Sequence, residues 1–204
     1  IFFNGIGMTS IYETAPTIPE FVFSMFQLTF AIITVALISG ALVERMRFSA
    51  WLIFAVLWVT IVYAPLAHIV WNPNGYLFKL GALDFAGGLV VHISSGASAL
   101  LAAILIGERV RYRKESQIPS NIPFVFIGTS LLWFGWIGFN GGSALGANAL
   151  AGNAVLVTNT CAAVGALTWL SLEWKFHGKP SLIGAASGLV AGLVAITPAA
   201  GFVD

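Results

Sequence analysis

Six long apolar runs that are almost free of charge constrain this 204-residue chain more than any other feature. Crossing about 30 Å of hydrocarbon takes roughly 20 apolar residues in a helix, and six windows meet that length. Because these runs are continuously apolar rather than alternating, they predict helices and not the strands of a barrel. The predicted spans are 21–43, 48–71, 83–107, 122–140, 149–172 and 181–203.

The small number of charged residues also indicates that this chain is suited to a lipid environment. They make up only 8% of the chain, whereas a soluble domain carries about 25%. Asp84 is the one charged residue inside a predicted span. A chain with so few charges cannot coat its own surface in water, which excludes a soluble enzyme and a disordered segment. The net charge of +1 also argues against a nucleic-acid partner.

The positions of the basic residues predict the orientation of the spans, because cytoplasmic loops carry an excess of Lys and Arg. Eight of the nine basic residues fall in the alternate loops 44–47, 108–120 and 173–180, and only Lys79 lies on the other side. We therefore expect a multi-pass protein of the plasma or inner cell membrane, with these three loops in the cytoplasm.

The two ends and the cysteine content give weaker expectations. The chain begins at Ile1 rather than at methionine and ends at Asp204, directly after an apolar run, which suggests an internal fragment of a longer membrane protein. Cys161 has no partner cysteine, and no Cys/His spacing resembles a metal site. We predict no catalytic residue, no metal and no cofactor.

Two polar residues of the third span need an explanation, since ionisable groups at membrane depth mark a pathway or a structural hydrogen bond. His92 lies about nine residues into that span. It could relay a proton or bond to a neighbouring helix, and its spacing favours neither. Asp84 lies near the outer end, where a carboxylate can cap free helix amides or stabilise a cation in an outer vestibule.

Aromatic residues gather toward the predicted outer ends of three spans. A belt at the membrane interface accounts for each of them alone, whereas together they could ring an external mouth that attracts a cation. They are Phe26 and Phe30 on the first span, Trp71 at the end of the second, and Trp136 and Phe139 on the fourth, with Ser143 one turn beyond.

Several longer motifs occur in one order along the whole chain. They are GALVER at 40–45, AHIVW at 67–71, DFAGG at 84–88 followed by VH at 91–92, GWIGFN at 135–140 and GKPS at 178–181. In these motifs the chain resembles the ammonium transporter family (Amt/Mep/Rh). The resemblance implies an all-α polytopic membrane helix bundle, namely six transmembrane helices of an eleven-helix inverted-repeat fold. It also implies a homotrimer with one pore per subunit, and the first two helices and the C-terminal part would be missing from this chain.

The same resemblance implies roles for individual residues and a substrate, ammonium or ammonia, with methylammonium as an analogue. Substrate recruitment is implied for Trp71, Phe30 and Ser143, the pore gate for Phe30 and Phe139, the pore lining for His92, Trp136 and Phe26, and structural or electrostatic support for Asp84.

The sequence thus predicts transport of ammonium or ammonia through a hydrophobic pore, with recruitment of the cation, deprotonation and passage past a pore histidine. Net charge transfer and conduction of ammonia gas both stay open. One alternative is an ammonium sensor of the same family, and a regulatory signalling protein could bind the cytoplasmic face of the full-length protein. A haem- or quinone-binding electron carrier that uses His68 and His92 is disfavoured, because the two lie at different depths.

Overall fold

The structure, a computed structural model, describes residue 3, residues 5–109, residue 112 and residues 119–204. All regular secondary structure in these ranges is helical, so the predicted all-α class is confirmed. The chain divides into two compact units, Ile1–Gln117 (unit 1) and Ile118–Asp204 (unit 2); a single transmembrane domain over 1–204 stays a prediction. Most of the loop that we expect to be cytoplasmic at 108–120 lies outside the described residues.

The described part of unit 1 contains five α-helices and two π-helical turns. Its helices are α1 (Glu20–Leu42), α2 (Phe48–Trp58), α3 (Ala64–Trp71), α4 (Tyr76–Lys79) and α5 (Ser94–Ile106). A π-helical turn at Val59–Tyr63 joins α2 to α3, and a second one at Gly88–Ile93 leads into α5.

Unit 2 contains three α-helices, which are α6 (Ile122–Gly142), α7 (Ala149–His177) and α8 (Leu182–Ile196). Each begins at an Asn or Ser whose side chain accepts a backbone N–H of the first turn, the arrangement that satisfies orphan donors at a helix start. These capping residues are Asn121, Asn148 and Ser181.

Among the described residues, five helical segments are long and apolar enough to cross a bilayer, and they overlap the first five predicted spans. They are Glu20–Leu42, Phe48–Lys79, Gly88–Ile106, Ile122–Gly142 and Ala149–His177. The fifth continues beyond the predicted end at 172, and it stops where Gly178 adopts a left-handed conformation with φ +80°.

The sixth predicted span, 181–203, is shorter in the structure than the sequence indicates. Helix α8 ends at Ile196 after 15 residues, and the chain then continues in turns. Pro198 explains the difference, because its ring nitrogen has no hydrogen to donate to the carbonyl of Val194, four residues earlier. Thr197 turns instead and donates its backbone N–H to that carbonyl at 3.3 Å.

Arg45 links the C-terminal ends of α1 and α5 in unit 1. Its Nη1 donates to the carbonyl oxygen of Gly107 at 2.5 Å, and its Nη2 donates to that of Ala41. Carbonyl groups at a helix C-terminus carry partial negative charge and favour a cation. The guanidinium therefore stabilises both ends and holds α1 against α5.

Helices α7 and α8 of unit 2 pack backbone against backbone. A Cβ atom added to Gly165 would overlap the carbonyl oxygen of Gly188, and one added to Gly192 would overlap that of Cys161. Such close approach is the usual basis of helix association in lipid, where no hydrophobic force draws helices together. This pairing fixes α8, and α6 packs against it.

Candidate functional site

Three of the aromatic side chains singled out by the sequence form one cluster inside unit 1. The ring of Phe30 lies with its centroid 4.9 Å from that of Phe26 and 5.4 Å from that of Trp71, in edge-to-face geometry with interplanar angles of 78° and 84°. Such geometry places the positive edge of one ring on the negative face of another. Phe30 is buried, with 1% of its surface exposed. The contact thus joins α1 to the end of α3.

The indole of Trp71 is held by the segment that precedes the second π-helical turn. Its Nε1 donates a hydrogen bond to the backbone oxygen of Asp84 at 3.0 Å. The ring is fixed on one side by Phe30 and at its N–H by this bond. Its polar atom is therefore satisfied within the unit, and the rest of the ring supplies apolar and π surface.

The carboxylate of Asp84 caps the start of the helix that carries His92. Its Oδ1 accepts the N–H groups of Gly87 and Gly88 at 2.9 and 2.5 Å, and its Oδ2 accepts those of Leu89 and Val90, both at 2.9 Å. These donors belong to the first turn, where an N–H has no acceptor within the helix. This geometry matches the capping alternative that the sequence left open for Asp84.

Gly87 permits this cap, because it adopts the left-handed conformation with φ +105° that other residues rarely adopt. A Cβ atom at this position would also lie 2.6 Å from a methyl carbon of Val91 and 3.5 Å from the Trp71 ring. The glycine therefore lets the Asp84 cap, the Trp71 indole and the helix start occupy one small volume.

His92 lies in the π-helical turn Gly88–Ile93, where its backbone N–H donates to the carbonyl oxygen of Gly87 at 3.0 Å. Val91 before it is buried, Ile93 after it is 65% exposed, and His92 itself is half-buried. The extra residue in a π turn rotates the side chains that follow, a distortion often found at functional sites. The residue is thus partly exposed, but the Nε2 atom of its imidazole is buried.

The candidate residues of unit 2 lie along α6. Trp136 is 5% exposed and belongs to a buried cluster with Ala162, Leu189 and Leu193. Phe139 packs against that cluster, with its ring centroid 5.6 Å from that of Trp136 at an interplanar angle of 53°. This pair therefore extends the core of unit 2 toward the C-terminal end of α6.

Ser143 follows on the same side of the chain, one turn beyond Phe139. Its hydroxyl donates to the backbone oxygen of Phe139 at 2.8 Å. Because the hydroxyl hydrogen is engaged in this bond, the oxygen presents its lone pairs to any further partner. Ser143 is therefore an acceptor, which is the role that a cationic donor requires.

The structure brings the candidate residues together in two groups, one in each unit. Phe26, Phe30, Trp71 and Asp84 are connected within unit 1, and Trp136, Phe139 and Ser143 are connected within unit 2. The expected joint roles of Phe30 with Phe139, and of Trp71 with Ser143, combine the two units and stay predictions. His68 is exposed on α3. Within the described ranges, no three or more His, Cys, Asp or Glu side chains group as metal ligands.

Sequence reasoning missed two polar pairs in unit 2. The Nε1 of Trp136 donates to the hydroxyl of Thr197 at 2.9 Å, and the Nδ2 of Asn140 donates to the hydroxyl of Thr158 at 2.9 Å. Three of these four residues, Asn140, Thr158 and Thr197, are polar residues inside predicted spans, and all three are fully buried. A polar residue within a predicted membrane span was the signal that could have found them.

Comparison with known proteins identifies what the chain is similar to. The sequence model of the Ammonium Transporter Family matches residues 1–204. An ammonium transporter of Bacillus subtilis is 55% identical over 191 residues, which cover 94% of this chain and 46% of that protein. The chain thus spans about half the length of the curated relatives it matches.

Solved structures agree with this match. The crystal structure of Saccharomyces cerevisiae Mep2 superimposes with a TM-score of 0.88 at 44% identity, over 94% of this chain and 43% of Mep2. A structure described as a sensor Amt protein superimposes with a TM-score of 0.85 at 30% identity, over 98% of this chain and 56% of that protein.

Proposed function

Because this chain belongs to the Ammonium Transporter Family, we propose that the protein of which it forms part carries ammonium across a membrane. The chain is a multi-pass membrane helix bundle of that family, and its relatives are transporters rather than enzymes. The observation that carries the proposal is the match of the family model over all 204 residues. The connected aromatic groups of the two units supply the chemistry.

The first step is recruitment of the cation at an aromatic outer site. The residues that we propose for it are Trp71, Phe30 and Ser143. An aromatic face attracts a cation within about 6 Å, and the fixed indole of Trp71 offers such a face. A hydroxyl whose hydrogen is already engaged accepts an N–H of ammonium without competition from its own donor.

The second step is loss of a proton. Ammonium carries a full charge and four N–H donors, so its transfer intact into an apolar conduit would cost several kcal/mol or more. Neutral ammonia crosses such a conduit far more easily. His92 lies in the third span and would relay the released proton or orient ammonia through its ring nitrogens.

The third step is passage through a gate and an apolar lining. Phe30 and Phe139 would close the pore, and Phe26 and Trp136 would line it, which excludes water and hydrated metal ions by dewetting.

The orientation and assembly follow the same proposal. The loops at 44–47, 108–120 and 173–180 would face the cytoplasm, as their basic residues indicate. The full-length protein would lie in the plasma or inner membrane as a homotrimer, and a regulatory signalling protein would bind its cytoplasmic face.

Uptake of methylammonium by proteoliposomes that contain the full-length protein tests the transport proposal. We expect His92→Ala and Phe139→Ala to lower the uptake rate by about tenfold or more, the usual effect of losing a group that acts on the passing substrate. The matched controls are His177→Ala and Phe134→Ala, since His177 is exposed at the end of α7 and Phe134 is 77% exposed on α6. Undiminished uptake in both site variants contradicts the assigned residues.

A sensor is the second candidate, and the likeness to the sensor Amt protein at 30% identity favours it. A sensor needs the same recruitment residues but little flux. Ammonium binding to the purified full-length protein without uptake by proteoliposomes favours the sensor. Uptake accompanied by an electrical current indicates net charge transfer, and uptake without a current indicates conduction of ammonia.

A further inference from the structure

The indole N–H of Trp136 lies in a place where it needs an internal acceptor. The residue is 5% exposed and is surrounded by Ala162, Leu189 and Leu193, whose side chains accept no hydrogen bond. A buried donor without a partner is costly. The acceptor that meets it is the hydroxyl of Thr197, at 2.9 Å. The Thr197 hydroxyl, which lies outside α6, therefore orients the N–H edge of this indole.

The hydroxyl of Thr197 is itself fixed. It donates to the backbone oxygen of Leu193 at 2.7 Å, and the residue has no exposed surface. Since its hydrogen is directed at that carbonyl, its lone pairs are left for the indole N–H. The two bonds form a chain from Trp136 through Thr197 to the backbone of α8.

The position of Thr197 in the backbone makes this acceptor rigid. It directly follows the last residue of α8. Two backbone hydrogen bonds fix the chain there: the N–H of Thr197 donates to the carbonyl oxygen of Val194 at 3.3 Å, and the N–H of Ala199 donates to that of Ile196 at 2.9 Å. Pro198 then fixes its own φ. The backbone that carries the hydroxyl is therefore restrained both before and after Thr197.

We propose that Thr197 is a positioning residue for the Trp136–Phe139 pair, and this inference rests on the proposed transport function. Thr197 sets the rotation of the indole, and the indole in turn contacts the Phe139 ring at a centroid distance of 5.6 Å. Without the acceptor, the indole turns to seek another partner and Phe139 moves with it. Thr197 acts through Trp136 and touches no substrate.

The pair of variants Thr197→Val and Thr197→Ser tests this assignment in the full-length protein. Valine keeps the shape but removes the acceptor, whereas serine keeps the hydroxyl. We expect Thr197→Val to lower the maximal methylammonium uptake rate by about tenfold, the ratio that loss of one buried hydrogen bond produces. The KM changes by less than about twofold because recruitment precedes this step. Thr197→Ser keeps wild-type kinetics, and a tenfold loss in this variant overturns the proposal even if Thr197→Val fails to fold.

Thr129→Val is the matched control for loss of a buried hydroxyl. Thr129 is 6% exposed on α6, and its hydroxyl donates to the carbonyl oxygen of Val125, four residues earlier, just as that of Thr197 donates to Leu193. It lies two turns from Trp136 along the helix. We expect uptake within about twofold of wild type, since this substitution leaves the indole contact intact. An equal loss in both variants overturns the specific role of Thr197.

A double-mutant comparison shows whether Thr197 acts through the indole. In a Trp136→Phe background the donor is absent, so adding Thr197→Val should change the uptake rate by less than about twofold. A further tenfold loss on top of Trp136→Phe overturns the proposed connection.

An NMR measurement separates this proposal from the proposed function, because it needs no transport. The ¹⁵N indole signal of Trp136, identified by its loss in Trp136→Phe, should shift in Thr197→Val and stay in place in Thr197→Ser. An unmoved signal in Thr197→Val overturns the hydrogen bond. A shifted signal in a protein that transports no methylammonium supports the positioning contact and contradicts the transport proposal instead.

Discussion

The two units place their candidate side chains by different means. In unit 1 the helices are interrupted, and Trp71 and His92 lie at or near the interruptions, next to the Asp84 cap and the π-helical turn Gly88–Ile93. In unit 2 the candidate side chains lie along the single regular helix α6 and its C-terminal end, and that helix packs against the closely paired α7 and α8. Irregular backbone can re-aim side chains but exposes amides that need an acceptor, whereas regular helices satisfy their own amides and need small residues to pack closely.

At their predicted cytoplasmic ends, the helices of the two units are stabilised by side chains of opposite charge. In unit 1 the Arg45 guanidinium binds carbonyl groups at two helix C-termini. In unit 2 the Glu173 carboxylate accepts the N–H and the hydroxyl of Ser181 at the start of α8, both at 2.8 Å. Each charge lies at the helix end of opposite polarity. A cation thus links two helices in unit 1, and an anion links two helices in unit 2.

Removal of the Asp84 carboxylate should have the largest effect on stability. Asp84→Ala leaves four backbone N–H groups of the interrupted helix without their acceptor. We expect the free energy of unfolding to fall by about 3 kcal/mol, measured by chemical unfolding of the full-length protein in detergent. Glu13→Ala is the control, because Glu13 is exposed and should cost about 0.5 kcal/mol at most. If both variants unfold alike, the cap does not hold the irregular backbone.

A methyl group in the contact between α7 and α8 tests the other side of the comparison. Gly165→Ala would press a Cβ atom into the backbone of Gly188, and the forced separation should cost about 2 kcal/mol. Gly152→Ala is the matched control on the same helix, with open space at its Cβ position. It should stabilise by about 0.5 kcal/mol through lower backbone entropy in the unfolded chain. Equal stability of the two variants would show that α7 and α8 are not in backbone contact.

The smallest expected effect concerns the cation that links α1 to α5. Arg45→Gln keeps a donor but removes the charge from the helix C-termini, which should cost about 1 kcal/mol. Arg47→Gln is the control, because Arg47 is exposed in the same loop. The same unfolding measurement distinguishes them, and high salt should leave the difference largely unchanged because Arg45 is only partly exposed. A larger cost for Arg47 contradicts the link.

The spans could be predicted from the sequence far better than their irregularities. The first five predicted windows overlap helical segments of the structure, because twenty apolar residues in lipid have few alternatives to a helix. Helix α8 covers only part of the window 181–203, because Pro198 lacks the N–H that would continue it and an apolar count does not register this. The π-helical turns at Val59–Tyr63 and Gly88–Ile93 left no mark in composition, since they depend on which amides find acceptors.

The candidate site divides in the same way. Motifs singled out three candidate residues, Trp71, Asp84 and Trp136. Their positions within the predicted spans placed them toward the outer ends of those spans. Their partners could not be inferred, because the Trp136–Thr197 bond joins residues 61 positions apart and the Trp71–Asp84 bond joins a side chain to a backbone oxygen.

By itself the sequence determined that this protein is a membrane helix bundle, because hydrophobic length and the satisfaction of backbone amides leave lipid-embedded chains little choice. Its motifs, not its hydrophobicity, indicated the family. Only the tertiary structure decided which donor meets which acceptor, as in the cap of Asp84 and the hydroxyl of Thr197. The physical reason is that hydrogen bonds act over about 3 Å, and distances of that size between remote residues are fixed by how the helices pack.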